Sequence, residues 1–257
     1  MTNERQEGIR LLLQEHGHLT VNELATILGV SEMTIRRDLR HLSALGLIQR
    51  EHGKALYLEP QPQDALFLAR LGEAEREKAA IGAKAAALIA EGDSVILDAG
   101  TTTLAVAQAI TQKCVVITNS LPIAGILGER EGVTVLVTGG ELRGTTYALV
   151  GPLTRSGFTN FNANKLFLGA TGVDLERGLS TANMLESEVK QSMIEAAREV
   201  ILVAHSKKIG EVYYHTFAQW DRIHKMVTDS GLAEETRQAL EALGVEVLLV
   251  STGVSAK

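Results

Sequence analysis

The chain contains 257 residues, of which 45% are hydrophobic and 22% charged, and its formal net charge is −6. These values exclude a disordered tail, a collagen and a coiled-coil rod, and the length allows one large domain or two smaller ones. The one cysteine, Cys114, excludes an intrachain disulfide and a cysteine-rich metal cluster. The polar N-terminus lacks a signal-peptide pattern, and no apolar run approaches the roughly 18 residues that a membrane helix needs. We therefore expect a cytoplasmic protein that does not engage a membrane.

The first 58 residues predict three short helices followed by a hairpin. Apolar spacing indicates a helix over residues 5–15, and Thr20 with Glu23 forms a capping box that begins a second helix. Gly29 ends the second helix, and Ser31 caps a third. The third helix therefore has an inward face at helical spacing, made by Ile35, Leu39, Leu42 and Leu45.

Two extended segments, 47–50 and 55–58, follow the third helix and form the wing of a predicted winged helix-turn-helix. An α-helix fits the major groove of DNA, where residues near its N-terminus reach base edges while other basic residues bind phosphates. The same charges would suit the solvent face of any amphipathic helix, but the order of capped helix, glycine turn, basic helix and wing favours DNA binding. The predicted DNA-contacting residues are Ser31, Met33, Thr34, Arg36, Arg37, Arg40, Arg50, His52 and Lys54.

The side-chain types within this set suggest different roles. Met33 and Thr34 suit the methyl groups of thymine, and Arg36 or Arg37 suits the two acceptors of guanine. We expect Asp38 to orient a neighbouring arginine rather than to face a phosphate. Contacts to phosphates are expected from Arg40, Arg50 and Lys54.

Three runs in this part of the chain match a known pattern. They are Leu19-Thr-Val-Asn-Glu-Leu-Ala25, Val30-Ser-Glu-Met-Thr-Ile-Arg-Arg-Asp-Leu39 and Arg50-Glu-His-Gly53. On these runs, residues 5–58 resemble the DeoR/GlpR family of bacterial transcriptional regulators, which implies binding to operator DNA. The family usually has a second glycine where this chain has Lys54, so the wing tip is expected to differ in shape and to carry an additional charge.

The pattern changes after a Pro- and Gln-rich segment at 59–64, which predicts a linker. A long Ala-rich helix over 73–90 leads into apolar runs that alternate with helical segments, which predicts an α/β fold with a largely parallel sheet and helices on both faces. The expected domains are a winged helix-turn-helix at 3–58, a linker at 59–72 and an effector-binding and oligomerisation domain at 73–257. The predicted strands are 94–98, 115–118, 133–137, 166–168, 200–204, 225–228 and 245–250, and the predicted helices between them are 104–110, 121–129, 186–199 and 233–243.

Small and polar residues follow several of these predicted strands. Asp98 leads through Gly100 into Thr101, Thr102 and Thr103 at the start of a helix, and ligands of open α/β sheets bind at such carboxyl ends. Backbone N–H groups, hydroxyls and the positive end of the helix dipole suit a phosphate or a carboxylate, although an ordinary strand-to-helix turn has the same pattern. The other predicted effector-binding residues are Asn119, Ser120, Gly139, Gly140, Arg143, Lys165, Asp174, Glu186, His205 and Lys208.

Six runs of the second half also match a known pattern: Asp98-Ala-Gly-Thr-Thr-Thr103, Thr118-Asn-Ser-Leu121, Gly139-Gly-Glu-Leu-Arg143, Phe167-Leu-Gly-Ala-Thr-Gly-Val-Asp174, Gly178-Leu-Ser-Thr181 and Glu186-Ser-Glu-Val-Lys190. On these runs it, too, resembles the DeoR family. The resemblance implies an effector domain similar in fold to ribose-5-phosphate isomerase and other sugar-phosphate isomerases, which binds phosphorylated sugars or related intermediates. The family commonly has an acidic residue and a serine where this chain has His205 and Lys207, and we hypothesise that this change alters effector specificity.

Together these features predict a DNA-binding transcriptional regulator of a carbohydrate catabolic operon, a repressor as in most family members, which a phosphorylated sugar releases from its operator. One winged helix has a small footprint, so we expect a homo-oligomer, a dimer or tetramer, on double-stranded DNA with repeated half-sites. We expect no catalytic residues and no cofactor, and the histidine spacing matches no metal motif. Fold similarity leaves one alternative open, a sugar-phosphate isomerase-like enzyme with an appended DNA-binding domain. The sequence does not separate a repressor from an activator.

Overall fold

The computed structural model describes residues 4–44, 48–51, 54–57 and 67–251. The chain divides into two compact units, and the division falls between Arg70 and Leu71. The predicted linker at 59–72 lies outside the described residues as far as 66, and its last part forms a helix at Phe67–Gly72. Among the residues that the structure describes, no helix is long and apolar enough to span a membrane.

The first unit contains the three predicted helices, and its sheet has one strand more than the predicted hairpin. Its elements in chain order are α1 (Glu4–His16), β1 (His18–Thr20), α2 (Val21–Leu28), α3 (Glu32–Ala44), β2 (Ile48–Glu51) and β3 (Lys54–Tyr57). The sheet is antiparallel with the order β1-β3-β2, and Thr20 of β1 pairs with Lys54 of β3. The tip of the wing, residues 52 and 53, lies outside the described residues.

Local signals in the sequence determine where the helices of the first unit begin and end. The capping box is confirmed, because Thr20 N donates to Glu23 Oε2 at 2.7 Å and Glu23 N donates to Thr20 Oγ1 at 3.2 Å. Gly29 ends α2 in the left-handed region with a φ of 65°, and Thr34 N donates to Ser31 Oγ at 3.3 Å at the start of α3. One apolar core joins the helices to the sheet, formed by Ile9, Leu13, Leu19, Val21, Leu24, Ala25, Ile35, Leu39, Leu42, Ile48 and Ala55.

The second unit alternates strands and helices. Its elements in chain order, beginning with the helix that crosses the division, are α4 (Phe67–Gly72), α5 (Glu75–Ala86), β4 (Ser94–Leu97), α6 (Thr101–Ala109), β5 (Cys114–Thr118), α7 (Leu121–Gly128), β6 (Val133–Val137), β7 (Glu141–Arg143), β8 (Ala148–Val150), α8 (Pro152–Phe158), β9 (Ala163–Leu168), β10 (Gly172–Asp174), β11 (Gly178–Thr181), α9 (Met184–Glu195), β12 (Ala197–Val203), β13 (His215–Ala218), β14 (Lys225–Asp229), α10 (Glu234–Ala242) and β15 (Glu246–Val250).

All seven predicted strands belong to one parallel sheet with the order β15-β14-β12-β9-β4-β5-β6. The predicted fold class, an α/β protein with an N-terminal winged helix-turn-helix, is therefore confirmed. Central strands of this sheet are buried on both faces, and Ile96 of β4 pairs with Ile117 and Leu166 on its two sides. Two smaller antiparallel sheets, β7-β8 and β10-β11-β13, were not predicted from the sequence.

Two predicted helices have different bounds in the structure. The helix predicted over 73–90 spans only Glu75–Ala86 in the structure. Ala74 takes a left-handed φ of 47°, which separates the beginning of this helix from α4. The helix predicted over 186–199 ends at Glu195, because the chain then pairs as β12 beside β9, with Ala163 N donating to Ala196 O at 2.8 Å.

Cys114, the first residue of β5, lies inside the second unit. Its side chain is buried, and burial together with the nearby Asp93 carboxylate raises the pKa of the thiol. Because the thiolate is the reactive form of cysteine, this environment favours an inert thiol.

The contact between α5 and α6 depends on a glycine. A Cβ placed on Gly82 of α5 would lie 2.5 Å from the backbone carbonyl carbon and oxygen of Ala105 in α6. No side chain fits at this separation without moving a helix, so the absence of a side chain at Gly82 sets the distance between the two helices.

Replacing Gly82 with alanine is expected to lower the free energy of unfolding by about 1–3 kcal/mol, because the added methyl group overpacks the contact. Urea unfolding of the full chain, followed by fluorescence of the single and buried Trp220, measures the change. Gly125→Ala in α7 is the control, because a Cβ there meets nothing within 4 Å and alanine favours a helix. Equal stabilities of Gly82→Ala and the wild type would contradict the close helix contact.

Candidate functional site

Helix α3 has one apolar face in the core and one basic face in solvent. Ile35 and Leu39 are fully buried or nearly so, whereas Arg36, Arg37 and Arg40 are exposed. Met33, in the first turn, is 78% exposed. The α3 face therefore presents to solvent the side-chain types predicted for a major groove.

Asp38 anchors α3 to α1. Its carboxylate accepts hydrogen bonds from Arg5 Nε at 2.6 Å and from Gln6 Nε2 at 3.0 Å. Burial opposes ionisation of Asp38, but the bonds from Arg5 and Gln6 outweigh it and hold the pKa of the carboxyl below its ordinary value. The arginine that Asp38 binds thus lies on α1, and the ion pair joins α3 to α1.

The hydroxyls and charges at the start of α3 contact one another. Ser31 Oγ lies 2.9 Å from Thr34 Oγ1, and Arg36 Nη2 donates to Glu32 Oε2 at 3.2 Å across one helical turn. This ion pair is half-exposed on both sides and contributes at most about 1 kcal/mol, so Arg36 can exchange Glu32 for another acceptor. Lys54 is exposed at the start of β3.

Two residues of the predicted DNA face are not placed there by the structure. His52 lies outside the described residues. Arg50 belongs to β2, and the structure does not describe its side chain. Both assignments stay predictions from the sequence.

In the second unit, a buried ion pair lies at the carboxyl edge of the parallel sheet. Asp98, directly after β4, is 2% exposed and contacts the ammonium group of Lys190 on α9. Gly169, directly after β9, donates its N–H to Asp98 Oδ2 at 2.9 Å and accepts from Lys190 Nζ at 3.0 Å. Lys190 Nζ also lies 5.3 Å from the ring centroid of Phe217. Burial raises the pKa of Asp98, while Lys190 and the N–H of Gly169 favour its ionised form.

Helix α9 carries a second charged residue, Glu186, one turn before Lys190. Glu186 Oε1 accepts from Thr146 Oγ1 at 2.7 Å and lies 3.4 Å from Arg143 Nε, and Glu186 Oε2 accepts from Thr181 Oγ1 at 3.2 Å. One carboxylate therefore connects α9 to β11, to the end of β7 and to the turn that follows β7.

The first turn of α6 follows Asp98 without a capping side chain. Gly100 is the N-cap residue, and within the described ranges no side-chain hydrogen bond caps the helix. Thr101 and Thr103 are buried, and Thr103 Oγ1 donates to Gly100 O at 3.0 Å, whereas Thr102 is half-buried. By contrast, Ser120 Oγ caps α7, since it accepts from Ile123 N at 3.4 Å. The uncapped amides of α6 are suited to an anion.

The loop after β12 is held by Asp229, at the end of the neighbouring strand β14. Asp229 accepts from Ser206 N and Ser206 Oγ, both at 2.7 Å, and from Gly231 N at 3.0 Å. Burial opposes ionisation of Asp229, but these hydrogen bonds outweigh it and lower its pKa. His205 in this loop is 6% exposed, and burial, followed by the positive charges of Lys208 and Lys78, lowers its pKa to about 4.

Four buried side-chain atoms at or near the carboxyl ends of the parallel strands have no hydrogen-bond partner within the described ranges. They are Asn119 Oδ1 after β5, Thr138 Oγ1 after β6, His205 Nδ1 after β12 and Thr228 Oγ1 in β14. A buried polar atom without a partner costs about 1–3 kcal/mol, so native proteins supply a partner from water or a ligand. These atoms make the carboxyl edge of the sheet a candidate ligand site.

Four residues predicted for the effector site have structural roles instead or lie elsewhere. Lys165 is near the amino end of β9, and its Nζ contacts Asp93 Oδ2 at 2.6 Å, at the edge of the sheet opposite Asp98. Asp174 Oδ1 accepts from two backbone amides of the turn between β10 and β11. Gly139 O accepts from Thr154 Oγ1 at 2.6 Å, and Gly140 has a φ of 139° with no space for a Cβ beside that hydroxyl.

Several residues of this edge were not predicted from the sequence: Lys78, Thr138, Thr146, Thr181, Lys190, Thr228 and Asp229. For Lys190 a signal existed, because it lies four residues after Glu186 on a predicted helix and so on the same face. The others depend on strand pairings and loops that the sequence pattern does not reveal. No cluster of three or more His, Cys, Asp or Glu side chains suited to a metal ion occurs within the described residues.

Comparison with known proteins places both units in one family. The model of the DeoR-like helix-turn-helix domain matches residues 5–61, and the model of the DeoR C terminal sensor domain matches residues 73–230. The chain is 37% identical to the HTH-type transcriptional regulator GlpR of Haloferax volcanii, over 95% of this chain and 96% of that protein. It is 33% identical to the HTH-type transcriptional repressor GlcR of Bacillus subtilis, over 96% and 95% respectively. Among solved structures, ribose 5-phosphate isomerase A of Methanocaldococcus jannaschii aligns with 13% identity and a TM-score of 0.38, covering 51% of this chain and 53% of that one.

Replacing Lys190 with alanine is expected to lower the free energy of unfolding by about 3–5 kcal/mol, because the buried Asp98 carboxylate loses its charge partner. Urea unfolding followed by Trp220 fluorescence measures the loss. Arg155→Ala is the control, because it removes an exposed ion pair with Glu188 and should cost under about 1 kcal/mol. Equal losses in the two variants would show that the buried pair does not hold the sheet edge together.

Proposed function

The chain belongs to the DeoR family of transcriptional regulators, and on that premise we propose that it represses a carbohydrate catabolic operon until a phosphorylated sugar releases it from its operator. The proposed domains are a winged helix-turn-helix at 3–58, a linker at 59–72 and an effector-binding and oligomerisation domain at 73–257. Their separate cores and the separate family matches at 5–61 and 73–230 support this division. A regulator of this kind acts where the DNA is, so we propose a cytoplasmic location.

Double-stranded operator DNA is the proposed partner of the exposed face of α3. Arg36 and Arg37 lie in its first half, where side chains reach base edges, and the Asp38–Arg5 ion pair holds the helix rigidly on α1. One such helix reads a short half-site, so we propose a dimer or tetramer on repeated half-sites.

The observation that carries the effector proposal is the set of four unpartnered buried polar atoms at the carboxyl ends of the parallel strands. The uncapped first turn of α6 lies at the same edge, beside Asp98. Backbone amides with the positive end of a helix dipole suit a phosphate, while the amide of Asn119 and the hydroxyl of Thr138 suit the hydroxyls of a sugar. Coupling of about 1.4 kcal/mol between effector and operator would change operator affinity tenfold.

The isomerase alternative has less support. The relatives compared above are named as transcriptional regulators or repressors, over nearly the whole length of this chain. The most buried carboxylates at the sheet edge are Asp98, which accepts two hydrogen bonds, and Asp229, which accepts three, and these bonds leave both poorly placed to take a proton from a substrate.

Arg37→Ala is expected to weaken operator binding roughly tenfold to a hundredfold, because an arginine that binds a guanine contributes about 1–3 kcal/mol. The operator is first selected from a random DNA pool, and binding is then measured by fluorescence anisotropy at one fixed salt concentration. Arg155→Ala, an exposed arginine of the second unit, serves as the control and should bind as the wild type does. Unchanged affinity of Arg37→Ala would remove this residue from the base-reading set.

Phosphorylated sugars are expected to raise the melting temperature of the full chain and to release it from the selected operator. Binding to the native state stabilises it by about 2.7 kcal/mol at a hundredfold excess of ligand over Kd. The double variant Thr102→Val/Lys208→Ala should lose both responses and still bind DNA. Lys113→Ala, an exposed lysine before β5 at the opposite end of the sheet, is the matched control. A panel of phosphorylated sugars without any stabilising member would contradict the proposed effector class.

A further inference from the structure

Strand β6 forms one edge of the parallel sheet, and among the described strands it pairs only with β5. The residues on either side of β6 point toward β5, because Gly132 O accepts from Cys114 N at 3.2 Å and Thr138 N donates to Thr118 O at 3.1 Å. Backbone polar groups alternate in direction along a strand, so the N–H and C=O groups of the odd-numbered residues 133, 135 and 137 point away from β5. Another strand can pair with these outward groups.

Apolar side chains are exposed along this edge. Helix α7 packs against β6, and a Cβ placed on Gly139, just after β6, would lie 2.9 Å from Leu153 Cδ2 of α8. The exposed aliphatic side chains on β6 and its neighbours α7, β7 and α8 have exposed fractions from 37% to 65%, and they are Leu121, Ile126, Leu136, Val137, Leu142 and Leu153. Apolar side chains gathered around an unpaired strand are typical of an interaction surface rather than of a solvated edge.

The opposite edge of the same sheet, β15, has a protection that β6 lacks. β15 begins with the exposed Glu246, whose Oε2 lies 2.5 Å from Lys225 Nζ. Charged side chains of this kind disfavour pairing with another chain. The sequence of β6, Val133-Thr-Val-Leu-Val137, contains no charged residue, proline or glycine. Of the two edges, β6 is therefore the one suited to contact another strand.

We propose that β6 is the dimer interface, where it pairs antiparallel with β6 of a second copy of this chain about a two-fold axis. This inference rests on the proposed function, which needs a dimer or tetramer to read repeated half-sites. A two-fold axis brings residues close to their own copies, so like charges at the axis would repel one another. The uncharged β6 meets this condition, and its pairing joins two seven-stranded sheets into one.

The direction of the backbone groups selects the register of this pairing. Val135 is the middle residue of β6 and its N–H and C=O point outward, so the longest overlap places Val135 on the axis. The two copies of Val135 then exchange both backbone hydrogen bonds, and Val137 N donates to the C=O of the partner's Val133. Leu136 lies opposite the partner's Thr134, so every side-chain pair along the contact is uncharged.

The flanking elements enlarge this contact. Specific interfaces bury about 800 Å² on each partner, which is more than a strand of five residues provides. The exposed aliphatic side chains of α7, β7 and α8 lie beside the strand and supply further apolar area. Exposed charges such as Glu129, Glu131 and Arg155 lie near this apolar area, as in the polar rim of other interfaces.

Sedimentation of the full chain over a range of concentrations tests the interface. Leu136→Arg brings a charge into the contact, and Val137→Pro removes an N–H that points away from β5. Leu249→Arg on β15 is the matched control, because Leu249 is 40% exposed and Leu136 is 39% exposed. We expect both β6 variants to raise the dissociation constant of the dimer roughly tenfold or more, and the control to leave it unchanged. In a tetramer, the β6 variants should halve the mass instead.

A cysteine on the axis tests the same contact without disrupting it. Residues that exchange both hydrogen bonds in an antiparallel pair have Cα atoms about 5.5 Å apart, which is within the range of a disulfide. Val135→Cys should therefore form a covalent dimer under mild oxidation. Leu249→Cys, the control on β15, should remain a single chain on a non-reducing gel, because Cys114 is buried. A cooperative urea transition of Trp220 fluorescence verifies that each variant is folded.

The outcomes separate this inference from the proposed function. A wild-type chain that stays monomeric at every concentration would overturn both the interface and the proposed oligomer. Self-association that Leu136→Arg and Val137→Pro leave unchanged, or weakening of equal size by Leu249→Arg, would overturn the β6 interface and leave the proposed function intact. Failure to select any operator from the random DNA pool would overturn the proposed function, while the sedimentation result would still decide the interface.

Discussion

The second unit depends on the buried ion pair between Asp98 and Lys190. A carboxylate withdrawn from water costs several kcal/mol unless charge and hydrogen bonds compensate it, and here the ammonium of Lys190 and the N–H of Gly169 do so. The pair joins the ends of β4 and β9 to α9. Because it fixes the rotation of α9, it also fixes the position of Glu186 one turn earlier, and through that carboxylate the positions of Thr146 and Thr181.

The two units present their charged and polar groups in opposite ways. In the first, arginines remain in solvent on α3, where they can exchange weak ion pairs for the phosphates and bases of DNA at small cost. In the second, the polar groups are buried at one edge of a parallel sheet. A buried polar group without a hydrogen bond costs free energy, so a ligand that supplies the missing bonds is favoured over one that does not. Loose contacts suit a partner as large as DNA, and a buried polar edge suits a small ligand.

The sequence pattern predicted those elements whose signals are local. Caps at Thr20 and Ser31 marked the helices of the first unit, and seven apolar runs marked the strands of the parallel sheet. Strands of three or four residues such as β10 and β13 were not predicted, because they form only through pairing with other segments of the chain. The same limit applies to the site, because Asp98 and Lys190 are in contact but lie 92 positions apart in the sequence. Lys165 was wrongly grouped with the edge residues, although a residue that begins a parallel strand lies at the edge opposite those that end it.

The burial of Cys114 has a consequence for the kinds of signal that this regulator can receive. It is the only thiol of the chain, it lies inside β5, and its raised pKa keeps it in the protonated and unreactive form. Peroxide and disulfide-forming oxidants act on exposed thiolates, so the buried Cys114 is a poor target for them. Oxidation of cysteine is therefore a poorly suited route by which a change in cellular redox state could reach this sheet.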